Sequence, residues 1–491
     1  MEHVEGFPET RNVKNYVGGS WTDIEGPDEH EIVNSATGET IAKVGFSATE
    51  TVDRAVATAA EAFEEWRQTP VEKRIQPLFQ LKSLLEEHQE EMAELLVAEH
   101  GKTKKEALGE IRRGIENVEV ACSIPSMMQA GHLPNAAPHI DETAVRKPLG
   151  VFTAITPFNF PVMIPLWFMP HAIATGNTFI LKPSERTPLI TQYLINLVDD
   201  TGLPGGIVNL VNGSAGTANT LLEHPKIEGV SFVGSTPVAK HIYETAAQHG
   251  KRVQAQGGAK NHIIISDSAD LDFAIDQTVN SAFANAGQRC LANPAAVVVD
   301  DIYDEFANKL VETVANYTVA PGLEEGVQMG PLITEEHRQR VLEYIETGVE
   351  EGASLLHDGR DDNVPEEGIF LAPTVFGDVD PDATIAKEEI FGPVLTLLRA
   401  VNFNEAIEIV NRSRFGNAAS LFTERGGEAK KFRHEVDAGN LSVNAGTAAP
   451  MAFFHFGGRK DSFFGDLHAQ GKDMTSFYTD KSIYIEKWPN V

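Results

Sequence analysis

The first part of the chain carries apolar residues at the spacing of amphipathic helices. From residue 52 the apolar side chains that share this spacing are Val52, Ala55, Val56, Ala59, Phe63 and Trp66. A second pattern of the same kind runs from Leu78 to Glu99 and stops near Gly101. A period of about 3.6 residues places such side chains on one face of a helix. We therefore expect residues 52–101 to be largely helical.

The pattern changes after Gly150, where short apolar runs alternate with stretches long enough for helices. The runs are GVFTAI, NTFILK, IVNLV and GVSFV, and Gly, Pro and Asn punctuate the segments between them. A second series begins with HIIIS at 262–266, passes through a helical stretch at 271–286 and resumes with a strand at 295–299. Buried strands that alternate with helices are typical of βαβ units. The sequence predicts an α/β protein with parallel sheets in two domains.

No segment of the sequence has the pattern of a signal peptide or a membrane span. The N-terminal residues MEHVEGFPET are acidic and lack the basic and apolar regions of a secretory signal. The most apolar stretch, 160–174, is interrupted by Pro161, Pro165 and Pro170 and is too short for an unbroken span. We expect a cytoplasmic protein.

The net charge changes the expectation about binding partners. Asp and Glu number 71 against 40 Lys and Arg, which gives a formal charge of -31. Such a charge repels nucleic acid and anionic membrane surfaces, so neither is an expected partner. The acidic residues are spread over many predicted helix faces, which is typical of a solvated surface. We hypothesise a halophilic protein, in which concentrated salt screens the self-repulsion of this surface.

The sequence contains two cysteines, so neither a disulfide framework nor a cysteine-based metal site is expected. Cys122 lies in the apolar helical segment VEVACSI, which is typical of a small buried hydrophobic residue. Cys290 ends the segment FANAGQRC, where a glycine-containing loop places it beside Arg289. A thiol near a cation is a candidate nucleophile. Burial as an inert thiol remains the alternative for Cys290.

Three further segments place polar residues at the ends of predicted strands. FVGSTPVAK puts Ser235 before a helix, where free backbone N–H groups can bind a pyrophosphate. FILKPSE brings Lys182 and Glu185 within reach of a ribose, and a carboxylate there favours NAD over NADP. PFNFP holds Asn159 between prolines, where its amide can donate to an oxyanion. Each segment is also compatible with ordinary turn or helix-cap chemistry.

Together the segments PFNFP, LKPSE, FVGST, GQRC and EEIFGPV resemble the aldehyde dehydrogenase superfamily in their order and approximate spacing. The resemblance extends from about residue 12 to the C-terminus. It implies that Cys290 is the nucleophile and that Asn159 and the Cys290 backbone N–H form an oxyanion hole. It also implies NAD as the cofactor, with Glu389 holding the nicotinamide ribose. The other implied NAD contacts are Thr156, Phe158, Lys182, Glu185, Arg186, Ser235 and Gly257.

The same resemblance implies a division of the chain into an aldehyde dehydrogenase fold. A Rossmann-type NAD-binding domain covers 12–128 and 149–257, and an α/β catalytic domain covers 258–450. A small oligomerisation element combines a hairpin at 129–148 with the tail at 470–491. The resemblance therefore also implies a homo-oligomer, either a tetramer or a dimer.

One position departs from the pattern of the hydrolytic members. Most of them carry a glutamate in an ELGGK-like motif, and it activates the water that cleaves the thioester. This chain reads VQAQGGAKNH from Val253 to His262, and Gln256 takes the place of the glutamate. An amide does not accept a proton at neutral pH. We therefore expect slow hydrolysis and a different acceptor for the acyl group.

The segments QGGAKNH, IRRGIENVEVACSIPSMM and FFGDLHAQGKDMTSFYTDK are similar to the CoA-acylating branch, the methylmalonate-semialdehyde dehydrogenases. This similarity implies coenzyme A as a co-substrate. Malonate or methylmalonate semialdehyde would then be oxidised with loss of CO2 to acetyl-CoA or propionyl-CoA. Arg113 and Arg289 match positions that receive the substrate carboxylate, a task that suits a guanidinium. A surface salt bridge is the alternative for Arg113.

Two other functions remain open. The first is a non-acylating NAD-dependent dehydrogenase of another carboxylated semialdehyde, such as 2-oxoglutarate semialdehyde, which Gln256 disfavours. The second is a catalytically silent member of the superfamily, which Cys290, Asn159 and Glu389 disfavour. The sequence does not distinguish malonate from methylmalonate semialdehyde as the preferred substrate.

The acidic surface leads to a prediction about stability. Screening shortens from about 10 Å at 0.1 M salt to about 3 Å at 1 M, so repulsion between carboxylates weakens as salt is added. We expect the free energy of unfolding, measured with urea, to rise steadily from about 0.1 M to about 2 M KCl. An unfolding free energy that stays constant over this range would contradict the halophilic hypothesis.

Overall fold

The computed structural model describes residues 11–26 and 28–488 as a mixed α/β fold built on two large sheets. The first sheet has eight strands. Its neighbouring parallel strands are Arg252–Gln256, Ile227–Val233, Val151–Ile155, Thr178–Lys182 and Val208–Leu210. Antiparallel strands complete the two edges: Phe463–Gly465 on one side, Asn15–Val17 and Ser20–Thr22 on the other. The predicted α/β class is confirmed.

Apolar strand interiors explain why this sheet is covered by helices. Every residue of Val151–Ile155 and Thr178–Lys182 is buried, as expected for parallel strands with covered faces. Helices in this part of the chain are Thr49–Trp66, Val71–Arg74, Gln76–Glu87, Gln89–His100, Lys104–Ala121, Ile124–Met127, Met163–Thr175, Pro188–Asp199, Ala215–Glu223 and Thr236–Gln248. The helical prediction for residues 52–101 is confirmed.

The second large sheet has seven strands, and the second α/β series predicted from the sequence supplies them. Their order is Ser354–His357, Thr374–Gly377, Val394–Ala400, Ala295–Val299, His262–Ile265, Ala418–Phe422 and Asn440–Val443. All neighbours are parallel except Ser354–His357 with Thr374–Gly377. The associated helices are Leu271–Phe283, Asp300–Val314, Glu335–Glu350, Thr384–Lys387, Phe403–Arg412 and Gly426–Glu435, with a 3-10 turn at Ala284–Gly287.

Three small sheets and a last helix complete the described fold. The C-terminal strand Thr479–Lys487 pairs along its whole length with Ile140–Pro148, which also pairs with His132–Ala137. The remaining strands are Arg11–Asn12, Glu29–Val33 and Thr40–Gly45 in one sheet and Phe415–Gly416 with Arg459–Lys460 in another; the last helix is Gly471–Phe477. The predicted hairpin and tail thus share one sheet, while the proposed domain division stays a prediction.

The parallel strands of the first sheet end along one edge. Ile155 lies beside Lys182 in one register and Val233 lies beside Gln256 in another, so four strand ends are neighbours. The segments PFNFP, KPSE, GST and GGAK each follow one of these ends. In open α/β sheets this carboxyl edge is where ligands bind.

Across residues 11–26 and 28–488, every helix is too short or too polar to span a bilayer.

Candidate active site

Two cavities meet near the carboxyl edge of the first sheet, and Cys290 lines both of them. The first cavity has a volume of about 280 Å³ and lies between the helix Lys104–Ala121, the Cys290 loop and residues 449–456. The second cavity has a volume of about 320 Å³ and lies over the strand ends, reaching Glu389. A side chain at this junction can meet a ligand from either side.

The loop that carries Cys290 has an unusual backbone. Asn285, Ala286 and Gly287 follow one another with φ values of 57°, 52° and 72°. The left-handed region costs little for Asn and Gly but is strained for Ala. A side chain at Gly287 would also collide with the carbonyl oxygen of Gly392. The helix Leu271–Phe283 therefore ends abruptly at these residues. The backbone that follows them places Cys290 at the junction of the cavities.

Two asparagines that the sequence analysis did not single out fix the Cys290 backbone. Asn261 and Asn417 each donate a side-chain N–H to the Cys290 carbonyl oxygen, at 2.9 and 2.8 Å. Asn261 also accepts from the backbone N–H of Ala418 at 2.9 Å. Both amides are buried. The Cys290 backbone is thus held by Asn417, just before the strand Ala418–Phe422, and by Asn261 in the loop that follows Gln256.

The surroundings of the Cys290 thiol oppose its ionisation in the ligand-free protein. Burial raises the pKa of Cys290 to about 11, because the thiolate loses its hydration. Arg289 lowers the pKa and Glu389 raises it, but both effects are smaller than that of burial. The neighbouring cation predicted to activate the thiol is therefore insufficient by itself. A proton acceptor or a further positive charge is needed at neutral pH.

Asn159 lies against the Cys290 loop. Its Nδ2 donates to the carbonyl oxygen of Gln288 at 3.0 Å, and the residue is buried. An amide nitrogen carries two hydrogens, so the second one is available to a ligand. Asn159 and Cys290 both line the second cavity. The structure therefore brings the predicted nucleophile and the predicted oxyanion donor together.

The two arginines predicted to receive a carboxylate both line the first cavity, but they differ in their partners. Arg113 forms an ion pair with Glu116 at 2.8 Å and donates to the Pro450 carbonyl oxygen at 3.0 Å. The Arg289 guanidinium makes no hydrogen bond or ion pair with any residue that the structure describes. Burial lowers the pKa of Arg289, and a bound carboxylate would offset that cost. Apolar side chains complete the cavity: Phe160, Met163, Trp167, Leu291, Ala452 and Phe456.

The predicted NAD contacts divide into two groups. Those lining the second cavity are Phe158, Arg186, Ser235, Gly257 and Glu389. Thr156, Lys182 and Glu185 do not line it and lie at the adjoining strand ends. The Thr156 backbone N–H donates to the Lys182 carbonyl oxygen at 3.1 Å. Lys182 Nζ lies 3.6 Å from a Glu185 carboxylate oxygen. The two groups are therefore neighbours along the same edge.

Several details of the second cavity fit a dinucleotide. Ser235 caps the helix Thr236–Gln248 without using its side chain, and this leaves the helix N-terminus open to an anion. Just outside the cavity lining, the hydroxyl of Thr156 is buried and has no hydrogen-bond partner among the described residues. A side chain at Gly258 would meet the Glu389 carboxylate, so a larger residue there would displace that carboxylate. These residues can hold a phosphate-bearing cofactor with a ribose near Glu389.

Glu389 is held by the loop that contains these glycines. One carboxylate oxygen accepts from the backbone N–H of Ala259 at 2.8 Å. Burial raises the pKa of Glu389 to about 7, although this hydrogen bond and nearby Arg340 and Lys260 lower it. A ribose hydroxyl can donate to either protonation state of a carboxyl group. The position of Glu389 thus suits the role that the resemblance implies.

Gln256 lies at the end of its strand, buried and outside the lining of both cavities. Neither atom of its side-chain amide has a hydrogen-bond partner among the described residues. Within that same part of the chain, no group of three or more His, Cys, Asp or Glu side chains is arranged to hold a metal ion.

Three charged residues that were not predicted from the sequence, Glu106, Glu110 and Lys102, lie on one helix and just before it. Glu106 accepts from the backbone N–H of Asn285 at 2.6 Å. Glu110 forms a fully buried ion pair with Lys102 at 2.5 Å. With Arg113, the two glutamates form one face of the helix Lys104–Ala121. Their spacing of four and three residues is the available signal, but exposed charged faces show the same spacing.

Comparison with known proteins agrees with this geometry. The model of the aldehyde dehydrogenase family matches residues 21–483. A malonate-semialdehyde dehydrogenase from Halalkalibacterium halodurans is 49% identical over 476 residues, which cover 97% of this chain and 98% of that protein. A second malonate-semialdehyde dehydrogenase, from Bacillus subtilis subsp. natto, is 48% identical and covers 98% of this chain and 99% of its own.

Solved structures of relatives have the same fold. A methylmalonate-semialdehyde dehydrogenase from Oceanimonas doudoroffii superposes with a TM-score of 0.96 and 41% identity, covering 98% of this chain and 99% of that one. The NAD+ complex of an aldehyde dehydrogenase from Bacillus cereus gives a TM-score of 0.93 and 33% identity, covering 97% of each chain. The resemblance inferred from the motifs is confirmed. This chain belongs to the aldehyde dehydrogenase family.

Proposed function

We propose that the protein oxidises malonate or methylmalonate semialdehyde with NAD and transfers the resulting acyl group to coenzyme A. The observation that carries this proposal is the position of Cys290. It lies between a cavity with an unpaired guanidinium and a cavity with the features of a dinucleotide site. The names of the relatives at 48–49% identity support the same substrate class.

The first cavity supports a substrate that carries both an aldehyde and a carboxylate. Arg289 offers paired N–H donors that no described residue uses, and it stands next to Cys290 in the chain. A guanidinium matches the geometry of a carboxylate. Binding the carboxylate at Arg289 would hold the aldehyde carbon near the thiol. Arg113 contributes from the lining of the same cavity while it keeps its pairing with Glu116.

The chemistry assigned to the chain begins at the Cys290 sulfur. The thiolate adds to the aldehyde carbon, and the oxyanion accepts hydrogen bonds from Asn159 Nδ2 and the Cys290 backbone N–H. When bound, NAD supplies the acceptor for the hydrogen and electron pair that leave the aldehyde carbon. Collapse of the oxyanion then leaves a thioester on Cys290. The cofactor contacts remain those implied by the family, with Ser235 at the helix N-terminus and Glu389 at the nicotinamide ribose.

Position 256 carries glutamine instead of glutamate, and this difference determines which molecule accepts the acyl group. An amide does not act as a general base, so water is a poor acceptor at this thioester. The thiol of coenzyme A replaces it by transthioesterification. Loss of CO2 from the carboxylated acyl group balances the reaction: methylmalonate semialdehyde, NAD+ and CoA give propionyl-CoA, CO2 and NADH.

We also propose that the protein acts as a homo-oligomer. The sheet formed by His132–Ala137, Ile140–Pro148 and Thr479–Lys487 exposes large apolar side chains, including Leu133, Ile483 and Ile485. Exposed apolar strands of this kind are typical of protein interfaces. They support the oligomerisation element predicted at 129–148 and 470–491. The choice between dimer and tetramer, and the cytoplasmic location, stay predictions.

The role of coenzyme A is tested by counting NADH. Without CoA, we expect rapid formation of about one NADH per active site from methylmalonate semialdehyde, followed by very slow turnover. Addition of CoA should give multiple turnovers and propionyl-CoA. Cys290→Ala should abolish the burst, whereas Cys122→Ser, the matched control, should retain it. Continued fast turnover without CoA would contradict the acylating function and favour the non-acylating alternative.

The difference between the two arginines leads to a second prediction. Arg289→Ala should lower kcat/KM for methylmalonate semialdehyde by roughly 10²-fold, about 3 kcal/mol. The reason is that the substrate carboxylate loses the guanidinium that donates hydrogen bonds to it. Arg113→Ala should cost about tenfold, because its charge is already paired. Propionaldehyde, which lacks the carboxylate, is the control substrate. If Arg289→Ala slowed both aldehydes equally, Arg289 would not be the carboxylate site.

The raised pKa of the thiol is tested by alkylation. In cofactor-free Cys122→Ser protein, the rate of iodoacetamide labelling should increase about tenfold per pH unit from pH 7 to about pH 10. The thiolate fraction rises in this way only while the pH lies below the pKa, which is about 11 for Cys290. Cys122 must be removed because its pKa is also about 11. A plateau in the labelling rate below pH 8 would contradict the assignment.

A further inference from the structure

A lysine that no sequence motif indicated contacts the segment that carries Asn159. Lys102 Nζ donates to the backbone carbonyl oxygen of Asn159 at 2.7 Å. The same ammonium lies over the ring of Phe160, 4.5 Å from its centre. The Lys102 side chain is fully buried. One cation thus contacts two successive residues of the PFNFP segment.

The partner of this lysine holds the other end of the same segment. One carboxylate oxygen of Glu110 pairs with Lys102 Nζ at 2.5 Å. The other accepts from the backbone N–H groups of Val162 and Met163, at 2.8 and 3.1 Å. These N–H groups open the helix Met163–Thr175, where an anion is stabilised by the helix dipole. The ion pair therefore connects the Asn159 carbonyl oxygen with the N–H groups of Val162 and Met163, at the two ends of one loop.

Packing alone does not require a fully buried ion pair at this position. Desolvation of both charges offsets much of their attraction, and apolar side chains of similar volume often serve as well. What an apolar pair does not provide is a donor for the Asn159 carbonyl and an acceptor for two helix N–H groups. Both residues also border the first cavity, next to Cys290. Their polar contacts therefore bear on the position of the reacting groups.

We propose that Lys102 and Glu110 are positioning residues that fix the Asn159 amide in the geometry required for the oxyanion. The proposal rests on the dehydrogenase function proposed above. Neither residue bonds to the Asn159 side chain, so both act through its backbone. The amide itself donates to the Gln288 carbonyl oxygen. Loss of the ion pair leaves that contact as the remaining polar restraint on the orientation of the amide.

The test is a double-mutant cycle measured on the NADH burst with methylmalonate semialdehyde and saturating NAD. Asn159→Ala should slow the burst by about 10²- to 10³-fold, the loss typical of one oxyanion donor. Lys102→Met should slow it about tenfold or more. The two changes combined should be no slower than Asn159→Ala alone, within about twofold, because the positioned group is already absent. The dissociation constant of NAD should change less than about twofold, since Lys102 does not line the second cavity.

Lys104→Met is the matched control. Lys104 lies two residues away and forms exposed ion pairs with Glu90 and Glu94, at 3.0 Å each, so its loss should leave the burst unchanged. If Lys102→Met does not fold, Lys102→Met with Glu110→Gln removes both buried charges and enters the same cycle. That variant keeps an acceptor for the helix N–H groups, and it should still slow the burst.

Three results would overturn the inference. The first is a burst rate unchanged by loss of the ion pair. The second is a loss that multiplies with that of Asn159→Ala, which would indicate a general structural effect. The third is a slower burst accompanied by a weakened NAD affinity, which would place the effect of the ion pair at the cofactor site. A wild-type protein without any NADH burst would instead contradict the proposed function and this inference together. A wild-type burst with any of the three results contradicts the inference alone.

Discussion

Backbone N–H groups of two separate segments are held by two carboxylates on one helix, the half-buried Glu106 and the buried Glu110, and the site depends on this arrangement. Glu106 accepts from Asn285 in the Cys290 loop, and Glu110 accepts from the first residues of the helix Met163–Thr175. Helical spacing places both carboxylates on the same face. Because a buried carboxylate is costly without such partners, the helix and the two segments stabilise each other's positions. The helix Lys104–Ala121 therefore fixes the distance between the Cys290 thiol and the Asn159 amide.

The same arrangement explains why two cavities of different character meet at one sulfur. The first cavity is walled by the helix and retains an unpaired guanidinium, Arg289. The second is formed by strand ends, glycines and an open helix N-terminus. Burial raises the pKa of the Cys290 thiol at their junction to about 11, so the thiol is mostly protonated at neutral pH in the ligand-free protein. Reactivity thus depends on what fills the cavities, and this suits an enzyme that must bind a cofactor and a substrate before chemistry starts.

Much of the fold and part of the site could be predicted from the sequence, because local signals specify strand ends. Runs such as GVFTAI and NTFILK, followed by Gly, Pro or Asn, locate Asn159 and Lys182 at one edge, and GQRC locates the nucleophile. Lys102 and Glu110 gave no such signal. In the segment GKTKKEALGEIRR they are two charges among many, and only the tertiary structure decides which of these charges are buried. The different pairing of Arg113 and Arg289 was inaccessible for the same reason.

The central claim is that the acyl group is held on Cys290 until coenzyme A removes it. The most direct measurement is the mass of the peptide containing Cys290, taken from protein incubated with NAD and methylmalonate semialdehyde but no CoA. The account predicts an acyl group on this cysteine, which disappears when CoA is added while an equal amount of propionyl-CoA forms. An unmodified Cys290 after NADH has formed, or an acyl group lost as quickly in buffer as with CoA, would contradict it.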